Sequence, residues 1–221
     1  MNCDRIARAY RWLEYFAFGT ALERCRTHFL SSIIRQKHAL LLGDGDGRFL
    51  ARYLRANPAG QADSVEVSPK MQALARNRAA AVPGGLERVR FILSDAHTIR
   101  PRTAYDLFVT HFFLDCFRED EIDALAVHLC QAALPQTLWL ISEFGIPSGP
   151  VTRPIGVALI RTMYQFFGRV TGLQTRRLPD HRSVLEGRGF QLQKEHRRLC
   201  GLLVSELWGI RTAAGGPAPK V

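Results

Sequence analysis

The sequence predicts an α/β fold, a parallel sheet covered by helices on both faces. Three observations carry that reading. Short apolar runs alternate with helical stretches along the whole chain, the first run breaks at alternating glycines, and an acid closes the second.

In chain order, residues 1–38 read as a helical lead-in, with Tyr10, Leu13, Phe16 or Ala17, Ala21 and Leu22 recurring at helical spacing. The first strand is Ala39-Leu40-Leu41-Leu42. It stops at Gly43-Asp44-Gly45-Asp46-Gly47, and an amphipathic stretch opens at Arg48. Glycines suit a turn that needs positive φ angles or a close backbone approach, which a Cβ would block. The helix that follows presents unpaired N–H groups and a positive dipole end, so a nucleoside-bearing ligand is the expected occupant. The spacing is GxGxG and departs from the GxGxxG dinucleotide fingerprint, because Arg48 follows Gly47. Glycine turns also join strands to helices where no ligand binds, so the elbow needs support from elsewhere in the chain.

That support comes about twenty residues on, at the interval typical of nucleotide-binding βαβ units. Val65 to Val67 reads as a short strand, Ser68 as a helix N-cap and Pro69 as the first helical residue. Glu66 then stands at the strand's carboxyl end, where a carboxylate can accept hydrogen bonds from two ribose hydroxyls; the plainer alternative is a solvated acid. Arg88 to Leu93 forms the third strand and ends in Ser94-Asp95-Ala96. The fourth, Tyr105 to Thr110, runs into His111-Phe112-Phe113-Leu114-Asp115-Cys116-Phe117, and the fifth is Leu138 to Phe144. A strongly apolar helix follows from Pro154 to Val170. Asp180 caps a helix through Glu186, and Phe190 to Leu199 and Leu202 to Trp208 are the last two strands.

These motifs resemble those of the class I S-adenosylmethionine-dependent methyltransferases over residues 36–145, and more loosely beyond. The resemblance implies a Rossmann-like, seven-stranded, mostly parallel sheet with a C-terminal antiparallel hairpin, and S-adenosyl-L-methionine as cofactor. Gly43, Gly45 and Gly47 match the family's glycine loop, Glu66 the acid that holds the ribose, and Val67 the apolar neighbour that packs on adenine. Asp95 and Ala96 match the pair that reads the adenine edge, and Met71 is expected at the same site. His111 and Phe112 fall where the fourth strand opens onto the methionine part and the methyl group. One position departs: family members usually carry an acid two places before the first loop glycine, and Leu41 stands there. Asp44 or Asp46 is the candidate replacement. The lead-in is similar to lids that fold over the cofactor, which makes Tyr10 and Tyr15 lid candidates; ordinary packing of an amphipathic helix is the alternative. Residues 39–211 are then the methyltransferase domain, 144–178 a substrate-side insert and 212–221 a disordered tail. The insert is loosely similar to the matching region of ubiquinone- and menaquinone-type enzymes, and a core or dimer helix is the other reading.

Composition sets outer bounds. The length suits one catalytic α/β unit, the start lacks a secretory apolar core, and no uncharged run is long enough to span a membrane. Cys3, Cys25, Cys116, Cys130 and Cys200 are odd in number and dispersed, without CxxC spacing, which points to reduced thiols in a cytoplasm and no metal. The formal net charge of +10 comes almost wholly from dispersed arginines, as Lys37, Lys70, Lys194 and Lys220 are the only lysines. Dispersion without aromatic interleaving favours a small molecule over nucleic acid as partner; a peripheral membrane contact and the oligomeric state stay open.

A sulfonium methyl is already a good electrophile, so the expected chemistry is alignment of an acceptor in line with the methyl–sulfur bond. His111 and Asp115 are the candidate bases for an acceptor that must lose a proton, His111 having the more suitable ordinary pKa. His111 alternatively lines the methionine site through its backbone, and Asp115 caps the next helix. The expected acceptor is small and apolar or aromatic. A non-catalytic S-adenosylmethionine or nucleoside binder and an RNA methyltransferase are the alternatives.

Overall fold

The structure, a computed structural model, describes residues 18–99, 104–171, 175 and 177–210. Tyr10, Tyr15 and the tail lie outside them. The elements are α1 (Ala21–Arg26), β1 (His38–Leu42), α2 (Arg48–Ala56), β2 (Gln61–Glu66), α3 (Pro69–Ala80), β3 (Val89–Leu93), β4 (Tyr105–His111), α4 (Glu119–Cys130), β5 (Ala133–Phe144), α5 (Thr152–Thr171), α6 (His181–Gly187), β6 (Phe190–Arg198) and β7 (Leu203–Ile210).

The seven strands form one sheet in the order β3-β2-β1-β4-β5-β7-β6. β1 pairs in parallel with β2 and β4, β2 with β3, and β4 with β5, while β7 runs antiparallel to β5 and β6. The strand order reverses between β1 and β4. Open α/β sheets leave a crevice at the carboxyl ends of the strands at such a point.

Successive strand residues face opposite sides, and each side is apolar. Leu40, Leu42, Phe108, Trp139 and Ile141 pack with the Ile122, Leu125, Ala126 and Leu129 stripe of α4. Ala39, Leu41, Leu107, Val109 and Leu140 pack with Phe49, Leu50, Tyr53 and Leu54 of α2. Burial on both faces explains why the central strands read as unbroken apolar runs.

Local chemistry sets the boundaries. The Ser68 hydroxyl accepts the Met71 amide at 3.2 Å ahead of Pro69, so α3 starts where the sequence expects it. The Asp180 carboxylate likewise accepts the Ser183 amide at 3.2 Å and caps α6. Two strands are longer than expected. β2 begins at Gln61 and ends at Glu66, with Val67 beyond it, because Asp63 is an in-sheet partner: it pairs with Arg90 and accepts the Tyr105 hydroxyl at 2.5 Å. β5 begins at Ala133, since Tyr105 pairs with Ala133 across an irregularity that the Thr137 hydroxyl fastens by donating to the Tyr105 carbonyl at 2.7 Å. Polar residues inside those strands hid them in the sequence.

Within the lead-in, α1 buries Leu22 and Cys25 against Leu203 of β7. In α5, Ile160 and Tyr164 pack on Leu202, while Ile155 is 63% exposed. No described helix is long and apolar enough to cross a membrane, and the described cysteines are free.

Candidate functional site

The elbow after β1 is built for close approach. The Gly43 amide donates to the Val65 carbonyl at 3.0 Å and stitches the elbow to β2. A Cβ on Gly43 would lie 2.3 Å from the Phe113 ring. Gly47 caps α2 at φ +79°, and its Cβ would lie 2.5 Å from the Ala75 Cα, so this glycine lets α2 and α3 meet.

Glu66 comes up beside the elbow. One carboxylate oxygen accepts the Val67 and Ser68 amides, each at 3.0 Å, and the other accepts the Gly45 amide at 3.2 Å. Burial raises its pKa and the three backbone donors pull it back. The acid is thus oriented and still lines an open cleft with Gly43, Asp44, Gly45, Val67 and Met71. Asp95 and Ala96 after β3 join the same cleft, and the Asp95 carboxylate accepts the His97 amide at 2.8 Å. From the end of β4 come His111 and Phe112. Phe112 holds φ +52°, which re-aims the chain as the strand ends.

His111 is 4% exposed, and among the described residues neither ring nitrogen has a hydrogen-bond partner. Its ring stands edge-on to Phe49, with centroids 4.4 Å apart. Burial and the nearby Arg26 charge hold its pKa well below the ordinary value, so the imidazole is neutral through the physiological range. Asp44 accepts the Leu50 amide at 3.0 Å, and burial pushes its carboxyl up to about 7. Asp46 pairs with Arg48 at 3.0 Å and Arg78 at 2.9 Å. Leu41 is fully buried in the apolar layer under α2.

Among the described residues, two of the expected site residues do not line the cleft: Gly47, which packs on Ala75, and Asp115. The Asp115 carboxylate accepts the Cys116 thiol at 3.5 Å, and burial pushes it up to about 6. Asp115 also does not cap the next helix. Arg118 is the N-cap of α4, and its amide donates to Glu121 at 2.8 Å. The sequence reading missed Arg26 of α1, whose guanidinium lies 5.1 Å from the Phe112 ring centroid, and the cleft residues Phe113, Cys116 and Phe117. The aromatic run after His111 carried a signal for the last three, whereas nothing in the sequence singles out Arg26.

The arrangement suits an adenosyl ligand: an oriented acid beside a glycine-rich elbow, a small residue next to an acid that takes one backbone amide, and imidazole nitrogens at the far end without a partner among the described residues. Comparison with known proteins agrees. Residues 39–136 match the profile of the methyltransferase domain family. A mitomycin 7-O-methyltransferase structure superposes with a TM-score of 0.69 at 15% identity, covering 93% of this chain and 60% of that one. A putative O-methyltransferase from Nostoc punctiforme PCC 73102 gives 0.70 at 16% identity, covering 92% and 58%. The N-methyltransferase NodS from Bradyrhizobium japonicum WM9 gives 0.58 at 12% identity, covering 86% and 97%. The chain therefore spans about three fifths of the first two in length. No curated protein sequence matches the chain. The fold is that of these neighbours, and residues 39–136 carry the methyltransferase-domain match. The matched domain implies S-adenosylmethionine as cofactor.

Proposed function

We propose that this protein transfers the methyl group of S-adenosylmethionine to a small apolar or aromatic acceptor. One observation carries the reading: the elbow, Glu66, the Asp95-Ala96 pair and His111 line a single cleft at the carboxyl edge of the sheet. Glu66 would hold the ribose hydroxyls, Asp95 and Ala96 the adenine edge, and Val67 and Met71 its faces. Arg26 is the cation for the cofactor's carboxylate. Asp44 takes the place of the acid absent at Leu41, because Asp46 is neutralised by two arginines. The segment preceding α1, with Tyr10 and Tyr15, is read as a lid, residues 39–211 as the catalytic domain and 144–178 as its substrate-side insert.

The bound cofactor supplies an electrophilic methyl, and the chain's own residues supply position and a dry environment. The acceptor side is aromatic: Phe112, at the cleft's end, lies 4.9 Å from Phe144 between centroids, and Phe144 lies 5.5 Å from Phe18. His111 is the residue to take a proton from an acceptor hydroxyl or amine, as its neutral ring lines the cleft and neither buried nitrogen has a hydrogen-bond partner among the described residues. The Tyr164 hydroxyl donates to the Asp115 carbonyl at 2.9 Å and is assigned no base role. The reduced thiols fit a cytoplasmic setting.

The test is a methyl-transfer screen of a metabolite extract with labelled cofactor and mass readout, followed by the His111→Ala variant on any hit. Incorporation into a small apolar product supports the reading. Cofactor binding without transfer to any acceptor favours a non-catalytic binder. RNA binding that falls steeply with salt favours a nucleic-acid substrate. Folded protein that binds neither the cofactor nor its demethylated product ends the assignment.

A further inference from the structure

The turn from Phe112 to Phe117 has two faces, held by different parts of the chain. On one face Phe112, Phe113, Cys116 and Phe117 line the cofactor cleft. On the other, two of its backbone carbonyls are tied to the segment after β5. The Tyr164 hydroxyl of α5 donates to the Asp115 carbonyl at 2.9 Å, and the Thr175 hydroxyl donates to the Cys116 carbonyl at 2.9 Å. Beneath the turn, Glu143 at the end of β5 accepts the Phe113 and Leu114 amides through a single oxygen, at 3.0 and 2.8 Å.

We propose that Tyr164 and Thr175 are positioning residues that fasten the substrate-side segment to the cofactor wall, so that filling the cleft immobilises α5. The inference rests on the cofactor reading given above. The two tied carbonyls belong to the Asp115–Cys116 and Cys116–Phe117 peptides, which carry the cleft-lining Cys116 and Phe117, and each peptide is a rigid plane. Phe112 begins the turn in the left-handed region, and Glu143 grips the next two amides, so the turn has little slack to absorb a ligand's push. Restraint on the ring face therefore reaches the two hydroxyl ties. By linkage, an acceptor that orders α5 also tightens cofactor binding by the same factor.

The test is hydrogen–deuterium exchange across residues 152–171 of the full chain with and without S-adenosylhomocysteine, with calorimetry on the same samples. In the parent protein the ligand should slow exchange in α5 by about threefold or more. In Tyr164→Phe/Thr175→Val the affinity should stay within about threefold while the slowing disappears. Each single variant should lose part of the effect, and Thr175→Ser, which keeps the hydroxyl, should retain it, so a poorly folded double variant leaves the answer intact. Slowing that persists without both hydroxyls overturns the coupling, as does an unchanged α5 in parent protein that calorimetry shows to be saturated. Absence of S-adenosylhomocysteine binding overturns the cofactor reading and the coupling with it.

Discussion

The Gly45 amide donates to Glu66 at 3.2 Å, fastening the elbow after the first strand to the acid that closes the second. With Val67 and Ser68 on its other oxygen, Glu66 is aimed before any ligand arrives, which lowers the ordering cost of binding. Replacing Glu66 with Ala should weaken S-adenosylhomocysteine binding by about 1–3 kcal/mol, the worth of hydrogen bonds to a charged acceptor. Calorimetry reads this directly, and an unchanged affinity refutes the ribose role.

Arg26→Ala should separate the two ends of the ligand. Affinity for S-adenosylhomocysteine should fall by about 1.5–3 kcal/mol, the range for a charge-assisted hydrogen bond, while methylthioadenosine, which lacks the amino-acid end, binds as before. Equal losses for both ligands would show that Arg26 acts only through packing on Phe112.

The elbow glycines should respond differently to the same methyl. A Cβ on Gly45 meets nothing within 4 Å, whereas one on Gly47 meets the Ala75 backbone. Gly45→Ala should cost about 1–2 kcal/mol of stability from its left-handed φ, and should block the cleft. Gly47→Ala should cost about 2–4 kcal/mol, because strain and overlap add. Urea unfolding and cofactor titration together distinguish these outcomes.

Asp44 sets a pH dependence. Burial raises its carboxyl from the ordinary 3.8 to about 7, so the folded chain binds a proton that the unfolded chain has released over that interval. Stability from this group is full below the unfolded value and declines as pH rises toward 7. Asp44→Asn should therefore be more stable than the parent at pH 8, by up to about 4 kcal/mol, and equal to it near pH 4. Thermal melts across that range check the sign.

Glu206 acts in the opposite direction. Burial pushes its carboxyl up, but the hydrogen bond and charge of His181, with Arg182 and the Trp208 indole, hold it below its ordinary value. Its contribution is present above about pH 4.5 and is lost as pH falls further. Glu206→Ala should cost about 3–5 kcal/mol at neutral pH, since His181, Arg182 and the indole lose a shared buried partner. A loss under 1 kcal/mol by denaturant titration would count against this.

Where chemistry is local, the sequence was readable. The glycine elbow, the Ser68 cap and the acid at Glu66 each announce themselves within a few residues, and the strand alternation implies the sheet. What depends on distant contacts was hidden. Arg26 reaches the cleft only because α1 packs on β7, and Asp63 belongs to a strand only because Arg90 and Tyr105 meet it. Asp115 looked like a base by its place after β4, yet the turn carries its side chain away from the cleft's lining.

The Cys25 carbonyl accepts the hydroxyls of Ser142 in β5 and Ser205 in β7, at 3.3 and 2.7 Å. Two sheet strands thus clasp the backbone one residue before Arg26. A shortened version beginning at β1 would bare those serines and remove one wall of the cleft, so it should lose ligand affinity and cooperative unfolding together. α1 is structurally part of the cleft's wall, and an excision guided by sequence motifs alone would cut through that wall.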